Sequence, residues 1–367
     1  MDYFFFDKDN CLVSISNSIL KYFTGKCYHN TSTQLDEVFA QKRPDKVCVM
    51  LFDGFGKSIR EKHLKENDFL RRKKAFTITS VFPPTTVAAT TALITGKYPI
   101  ETGWLGWRQY FASHDVTVDM FTNANSVPHE KIKGPSLSYL YCPITPIWEL
   151  IDSKEVKAGV IYPHPISLDG PKTLKEFFSC ASNIMKRDEK HFYYMYWNEP
   201  DSSMHKFGIN DRRIKLMCKD INKRVARLAN DNKDNLIIVL SDHSMVDTKY
   251  FNLYEHEDFA DAVEHIYGLD ARSCAFYVKD EYKDSFVSLF NKYYKDYFII
   301  KTKEEVIKEG WFGEGTPHPL FESFIGDFLI TSIKDYGFTY EKDYPLVANH
   351  AGSTSEESLI DVSIINN

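Results

Sequence analysis

The chain reads as an α/β protein: a three-layer sandwich with a mostly parallel central sheet flanked by helices, plus a small inserted α+β cap. Three observations predict this. Short apolar runs recur along the 367 residues with helical periods between them. Strand, crossover helix and strand follow one another in the order typical of a parallel sheet covered on both faces. No low-complexity tract, Gly/Ser linker or internal repeat interrupts the sequence, so no linker-separated second domain is expected.

The elements follow in chain order. Val47-Cys-Val-Met-Leu-Phe52 is an apolar run with the length of a buried strand. A strand over 76–82 is stopped by Pro83-Pro84, after which Thr85 or Thr86 can open a helix, since a hydroxyl at that position satisfies free amides. Runs at 158–162, 192–197 and 236–240 supply further strands. Between the last two, apolar residues at 214, 217, 218, 221, 225 and 228 fall at helical spacing among Lys, Arg and Asp. From 250 to 320 the rhythm changes to a short β-α-β-α unit, after which Gly326-Asp-Phe-Leu-Ile330 resumes the character of a main-sheet strand. The expected division is therefore a catalytic domain over 1–249 and 321–367, with a cap subdomain over 250–320.

Bulk properties narrow the class. With 43% hydrophobic and 15% aromatic residues the chain can bury a large core, and a net charge of -6 argues against general nucleic-acid binding. Seven cysteines without a Cys-x-x-Cys pattern read as reduced thiols. The N-terminus carries acids where a secretory leader carries bases, and no run of eighteen apolar residues occurs. A cytoplasmic protein that does not span a membrane is the expectation.

Chemistry concentrates at strand ends, where open α/β sheets collect ligands. Glu199-Pro-Asp-Ser-Ser-Met-His205 follows one predicted strand and Ser241-Asp-His-Ser244 follows another. Asp201 and His205 share a face if the segment is helical, whereas Asp242 and His243 converge only where the chain turns. Carboxylate oxygen and imidazole nitrogen suit a divalent ion such as zinc or manganese. Two such pairs suggest a two-metal hydrolase acting on phosphorus or on an amide.

Asp53, in Leu51-Phe-Asp-Gly-Phe-Gly56, and His350, in Leu346-Val-Ala-Asn-His-Ala-Gly352, read singly as a turn aspartate and a loop histidine. Gly56-Lys-Ser58 is not a phosphate-binding Walker loop, because Leu51 stands where that motif needs glycine. His256 and His265 lack metalloprotease spacing, and Arg71-Arg-Lys-Lys74 is a solvated patch. Pro83-Pro-Thr-Thr-Val-Ala-Ala-Thr-Thr-Ala92 is either a tightly packed helix start or a threonine nucleophile at a phosphate-holding helix N-terminus. Threonine there needs a base or a metal to react at neutral pH.

Taken in order, these segments resemble the alkaline phosphatase superfamily, in its nucleotide pyrophosphatase/phosphodiesterase branch. The resemblance runs from about Val47 to Glu357 and is strongest over Phe82-Pro-Pro-Thr-Thr to Thr95-Gly-Lys-Tyr-Pro99. In that branch the nucleophile stands ten residues before the glycine of Thr-Gly-x-x-Pro, which selects Thr86. The resemblance implies two divalent ions, zinc in the first place and manganese as the alternative. Asp201, His205 and His350 would hold one; Asp53, Asp242, His243 and the Thr86 oxygen would hold the other. It implies hydrolysis of phosphodiester or pyrophosphate bonds through a covalent phospho-threonine, on a small phosphorylated substrate such as a nucleotide or nucleotide sugar. Two departures stand out: Trp107 occupies the place of an Asn donor in nucleotide-cleaving members, and Ala351 replaces a Gly. Trp104, Trp107 and Tyr110 are candidates to stack on a flat group, or else buried aromatics. Phosphomonoesterase, phosphotransferase or mutase activity on the same scaffold, and an inactive metal-binding protein, are the alternatives.

Overall fold

A computed structural model describes residues 3–366 apart from 343. Its central sheet has six strands in the order Lys74–Thr79, Leu359–Ile365, Leu236–Leu240, Lys46–Phe52, His191–Trp197, Lys157–Ile161. The last four are parallel, and Leu359–Ile365 runs antiparallel to both of its neighbours.

Alternation along Lys46–Phe52 shows how the layers form. Val47, Val49 and Leu51 face one core, which also takes Leu12, Ile15 and Ile19 of the helix Leu12–Thr24 and Val87, Ala88 and Ala92 of the helix Thr86–Thr95. Cys48, Met50 and Phe52 face the other, against Ile214, Cys218, Ile221 and Val225 of the helix Arg212–Asp231. A strand apolar on both sides is what a sheet covered twice requires. The expected strands of this sheet and this helix are present, with the strand expected over 76–82 lying instead at Lys74–Thr79, so the three-layer α/β reading holds. The antiparallel strand Leu359–Ile365 went unforeseen.

The cap differs from expectation. A second, wholly antiparallel sheet runs in the order Phe298–Thr302, Phe328–Ser332, Ser273–Phe276, Gly268–Leu269, Arg108–Phe111, Val116–Asp119, Ala124–Asn125. The 250–320 segment supplies only part of it; strands from 108–125 and Phe328–Ser332 complete it. Phe328–Ser332 therefore does not return to the parallel sheet. Its apolar run Phe328-Leu-Ile330 looks like a main-sheet strand because it belongs to an inner strand of the second sheet, buried along its whole length.

Candidate active site

Three parallel strand ends are stitched together at one edge. The Asp53 amide donates to the Trp197 carbonyl at 2.9 Å, the Asp201 amide to the Asp53 carbonyl at 3.1 Å, and the Gly54 amide to Asp242 Oδ1 at 3.2 Å. Gly54 sits at φ +68°, and a Cβ there would stand 3.0 Å from that of Asp201. The chain leaves Leu236–Leu240 before Asp242, and the helix Asp201–Phe207 starts directly at Asp201. His205 Nε2 lies 3.4 Å from Asp201 Oδ2, as the four-residue spacing predicts.

Thr86 opens the helix Thr86–Thr95, with Thr85 as the preceding extended residue. Neither hydroxyl caps the helix: Thr85 Oγ1 has no hydrogen-bond partner, and Thr86 Oγ1 turns toward the strand ends. There it lies 3.4 and 3.5 Å from the two Asp53 carboxylate oxygens and 3.1 Å from His243 Nε2. The helix ends on Gly96, in the left-handed region at φ +68°.

Two sets of donor atoms converge here. In Asp201, His205 and His350, and again in Asp53, Asp201 and His243, one atom from each residue lies within 4.8 Å of the others. The first set is the one the resemblance implies. In the second, Asp201 stands with Asp53 and His243, and Asp242 lies alongside with Oδ2 3.6 Å from His243 Nε2. Ser244 and Ala348 carbonyls accept from Nδ1 of His243 and His205, which orients each ring and turns its Nε2 toward the carboxylates, the atom that would be offered to a cation.

The donor set fits divalent cations on physical grounds. Asp201 Oδ1, Asp242 Oδ2 and His350 Nδ1 are buried without hydrogen-bond partners. Burial, reinforced by Asp242 and Asp201, pushes the Asp53 carboxyl well above its ordinary value. Burial also acts to raise Asp201, but His205 outweighs it and holds the carboxyl low. Burial, with His243 and His205, keeps His350 neutral. Clustered buried carboxylates need positive charge beside them to stay ionised.

These residues border a cavity of about 930 Å³ with an aromatic wall of Trp104, Phe121, Tyr139 and Tyr162. The three aromatic candidates fare differently. Trp104 is fully buried, and its indole N–H donates to the Cys142 carbonyl at 2.8 Å, so it backs the wall as a core residue. Trp107 lines the cavity and is 36% exposed, the form in which an aromatic can meet a ligand. Tyr110 does not line the cavity, a correction to its sequence assignment. Two strand positions beyond Arg108 carry it about 7 Å outward, where it stacks on His265 and bonds Asp115. Sequence reasoning missed Tyr196, whose hydroxyl donates to Asp53 Oδ2, and also Arg108 and Asp270, both of which line the cavity. Tyr196 alone left a signal, at the end of a predicted strand.

Mus musculus ectonucleotide pyrophosphatase/phosphodiesterase family member 1 is 27% identical over 219 residues, 52% of this chain and 23% of the mouse protein. Bos taurus bis(5'-adenosyl)-triphosphatase ENPP4 is 22% identical over 234 residues, 55% of this chain and 48% of the bovine one. The chain spans less than half the length of both. Murine ectonucleotide pyrophosphatase/phosphodiesterase 5 superposes with a TM-score of 0.65 at 16% identity over 87% of each chain. An inactive variant of that protein, in complex with AMP, gives 0.63 at 16% identity, again over 87% of each chain. At such identities the structural likeness establishes a shared fold. The family model described as type I phosphodiesterase / nucleotide pyrophosphatase matches residues 47–356, a span holding Thr86 and every candidate ligand, and the chain belongs to that family.

Proposed function

We propose that this chain is a two-metal-dependent hydrolase that cleaves phosphodiester or pyrophosphate bonds, with Thr86 as nucleophile. The observation that carries this reading is the Thr86 hydroxyl, held at a helix N-terminus within 3.5 Å of Asp53 and 3.1 Å of His243. Asp201, His205 and His350 would hold one divalent ion; Asp53 and His243, with Asp242 and the Thr86 oxygen, would hold the other. Zinc is the first expectation and manganese the second. Such ions, when bound, lower the pKa of a coordinated hydroxyl and neutralise charge developing on phosphoryl oxygens.

The residues of the chain divide the remaining work. Thr86 Oγ1 gives up its proton to solvent and forms a bond to phosphorus while the bond from phosphorus to the leaving oxygen breaks, that oxygen leaving as the anion or taking a proton from solvent. Water then attacks the phospho-threonine, losing a proton, and the Thr86 oxygen departs and is reprotonated. The first amides of the helix Thr86–Thr95 have no acceptor within the helix, and a helix N-terminus favours the negative charge that phosphoryl oxygens would bring. A nucleotide fits the aromatic wall, in keeping with the AMP complex of the murine neighbour and the name of the bovine relative.

The test pairs a substitution with a substrate comparison. Thr86→Ala is expected to lower kcat by about 10³-fold or more while leaving metal content near that of the unmodified protein. The unmodified enzyme is expected to favour an aryl phosphodiester over the matching monoester. Undiminished turnover in Thr86→Ala, or a strong monoester preference, overturns the reading.

A further inference from the structure

Arg108 opens the strand Arg108–Phe111, is 7% exposed, and lines the same cavity as Thr86 and His350. Its Nη1 is buried and has no hydrogen-bond partner. The guanidinium stands over the ring faces of Tyr267 and Tyr340, at 5.3 and 5.1 Å from their centroids. Ring faces attract a cation but do not neutralise it, and a buried charge without an anionic partner is costly. Asp270, the carboxylate that feels this charge, uses Oδ2 to accept the Trp107 amide at 3.2 Å.

The position is held rigidly. Arg108 pairs with Asp119 on one side and Leu269 on the other within the second sheet. Among the described residues, no other Lys or Arg lines the cavity. A guanidinium fork offers parallel N–H donors that match the oxygens of a phosphoryl group.

We propose that Arg108 binds a second oxyanion of the substrate, carried on its leaving group, so that the site favours phosphoric anhydrides over diesters with neutral leaving groups. This inference rests on the hydrolase reading above and deepens it. Trp107 fills the place of the neutral donor found in nucleotide-cleaving members, and the residue beside it supplies a charged donor to a different part of the substrate.

The test compares two substrates that share a nucleoside half: adenosine triphosphate, whose leaving group carries phosphoryl oxyanions in the bound substrate, and the 4-nitrophenyl ester of adenosine 5'-monophosphate, whose aryl group carries none. Arg108→Gln is expected to reduce the ratio of kcat/KM, triphosphate over aryl ester, by about 10- to 100-fold, mainly through KM. An unchanged ratio overturns the proposal. So does an equal loss on both substrates, which marks a purely structural arginine. Arg108→Lys keeps the charge but loses the fork; it is expected to keep part of the preference, and it replaces the Gln variant if that does not fold. If the unmodified protein cleaves neither compound, the hydrolase reading fails and calorimetric binding of ADP against AMP decides the role of Arg108. Tighter ADP binding that is lost in Arg108→Gln sustains the assignment, and equal binding in both proteins removes it.

Discussion

Asp53 carries three relationships at once: it accepts from Thr86, lies 3.4 Å from His243, and accepts the Tyr196 hydroxyl. The last fixes the rotamer of the carboxylate and so the direction of its free lone pairs. Tyr196→Phe removes that bond without opening a cavity. Groups that orient metal ligands typically govern about 10- to 100-fold in metal affinity or activity. Tyr196→Phe is therefore expected to weaken metal binding by about tenfold, read by chelator competition, with an unchanged melting profile. Unaltered affinity and kcat would mean that the bond only satisfies a buried hydroxyl. The candidate ligands were legible because their spacing is local: Asp201 and His205 one helical turn apart, Asp242 and His243 at a strand end. Tyr196, Arg108 and Asp270 were not, because each acquires its role from residues far off in sequence. Nothing near Tyr196 says that Asp53, 143 positions earlier, lies across the strand pair.

Segment geometry decides how those side chains meet. The turn after Lys46–Phe52 passes so close to the turn after Leu236–Leu240 that a Cβ on Gly56 would stand 2.7 Å from Ser244 Cβ and 2.8 Å from the His243 carbonyl oxygen. Gly56 has φ -69°, so the need for glycine is close approach and not backbone strain. Gly56→Ala is expected to cost about 1–3 kcal/mol by overpacking and to displace His243, lowering metal content as well. Gly25→Ala provides the contrast, since Gly25 has φ +73° and nothing within 4 Å of its Cβ position. It should cost about 1–2 kcal/mol through strain alone and leave metal content intact. Denaturant unfolding and metal analysis on both variants separate the two causes; equal metal content would refute the close-approach argument. At this scale the parallel strands were legible, because both of their faces are apolar. The second sheet was not. Phe328–Ser332 shows that burial reads from composition while choice of partner does not, and the short strands Gly268–Leu269 and Ala124–Asn125 carry no periodic signal.

At the scale of the whole molecule, the two sheets meet through a buried ion pair with no signature in sequence. Arg272 precedes the second-sheet strand Ser273–Phe276, and Glu357 lies in the turn Ser355–Ser358 that leads into the central-sheet strand Leu359–Ile365. Both are fully buried, with Nε to Oε1 at 2.7 Å and Nη2 to Oε2 at 2.8 Å. The remaining donors reach the Tyr336 and Lys334 carbonyls, and Glu357 also accepts from the Gly352 amide and the Thr354 hydroxyl. The pair thus clamps the loop that follows His350, and a Cβ on Gly352 would strike both partners at 2.7 Å. Removing one partner strands a buried charge, which typically costs about 3–5 kcal/mol, whereas replacing both with apolar groups can be nearly neutral. Arg272→Met and Glu357→Gln are each expected to lose stability of that order and to weaken metal binding through His350. Arg272→Met combined with Glu357→Leu should recover much of the stability, because no charge is left unpaired. It should not recover metal affinity, because Glu357→Leu also removes the oxygen that accepts from the Gly352 amide. A double variant as unstable as the sum of its parts would show that packing at this junction, and not the ion pair, holds the two sheets in register.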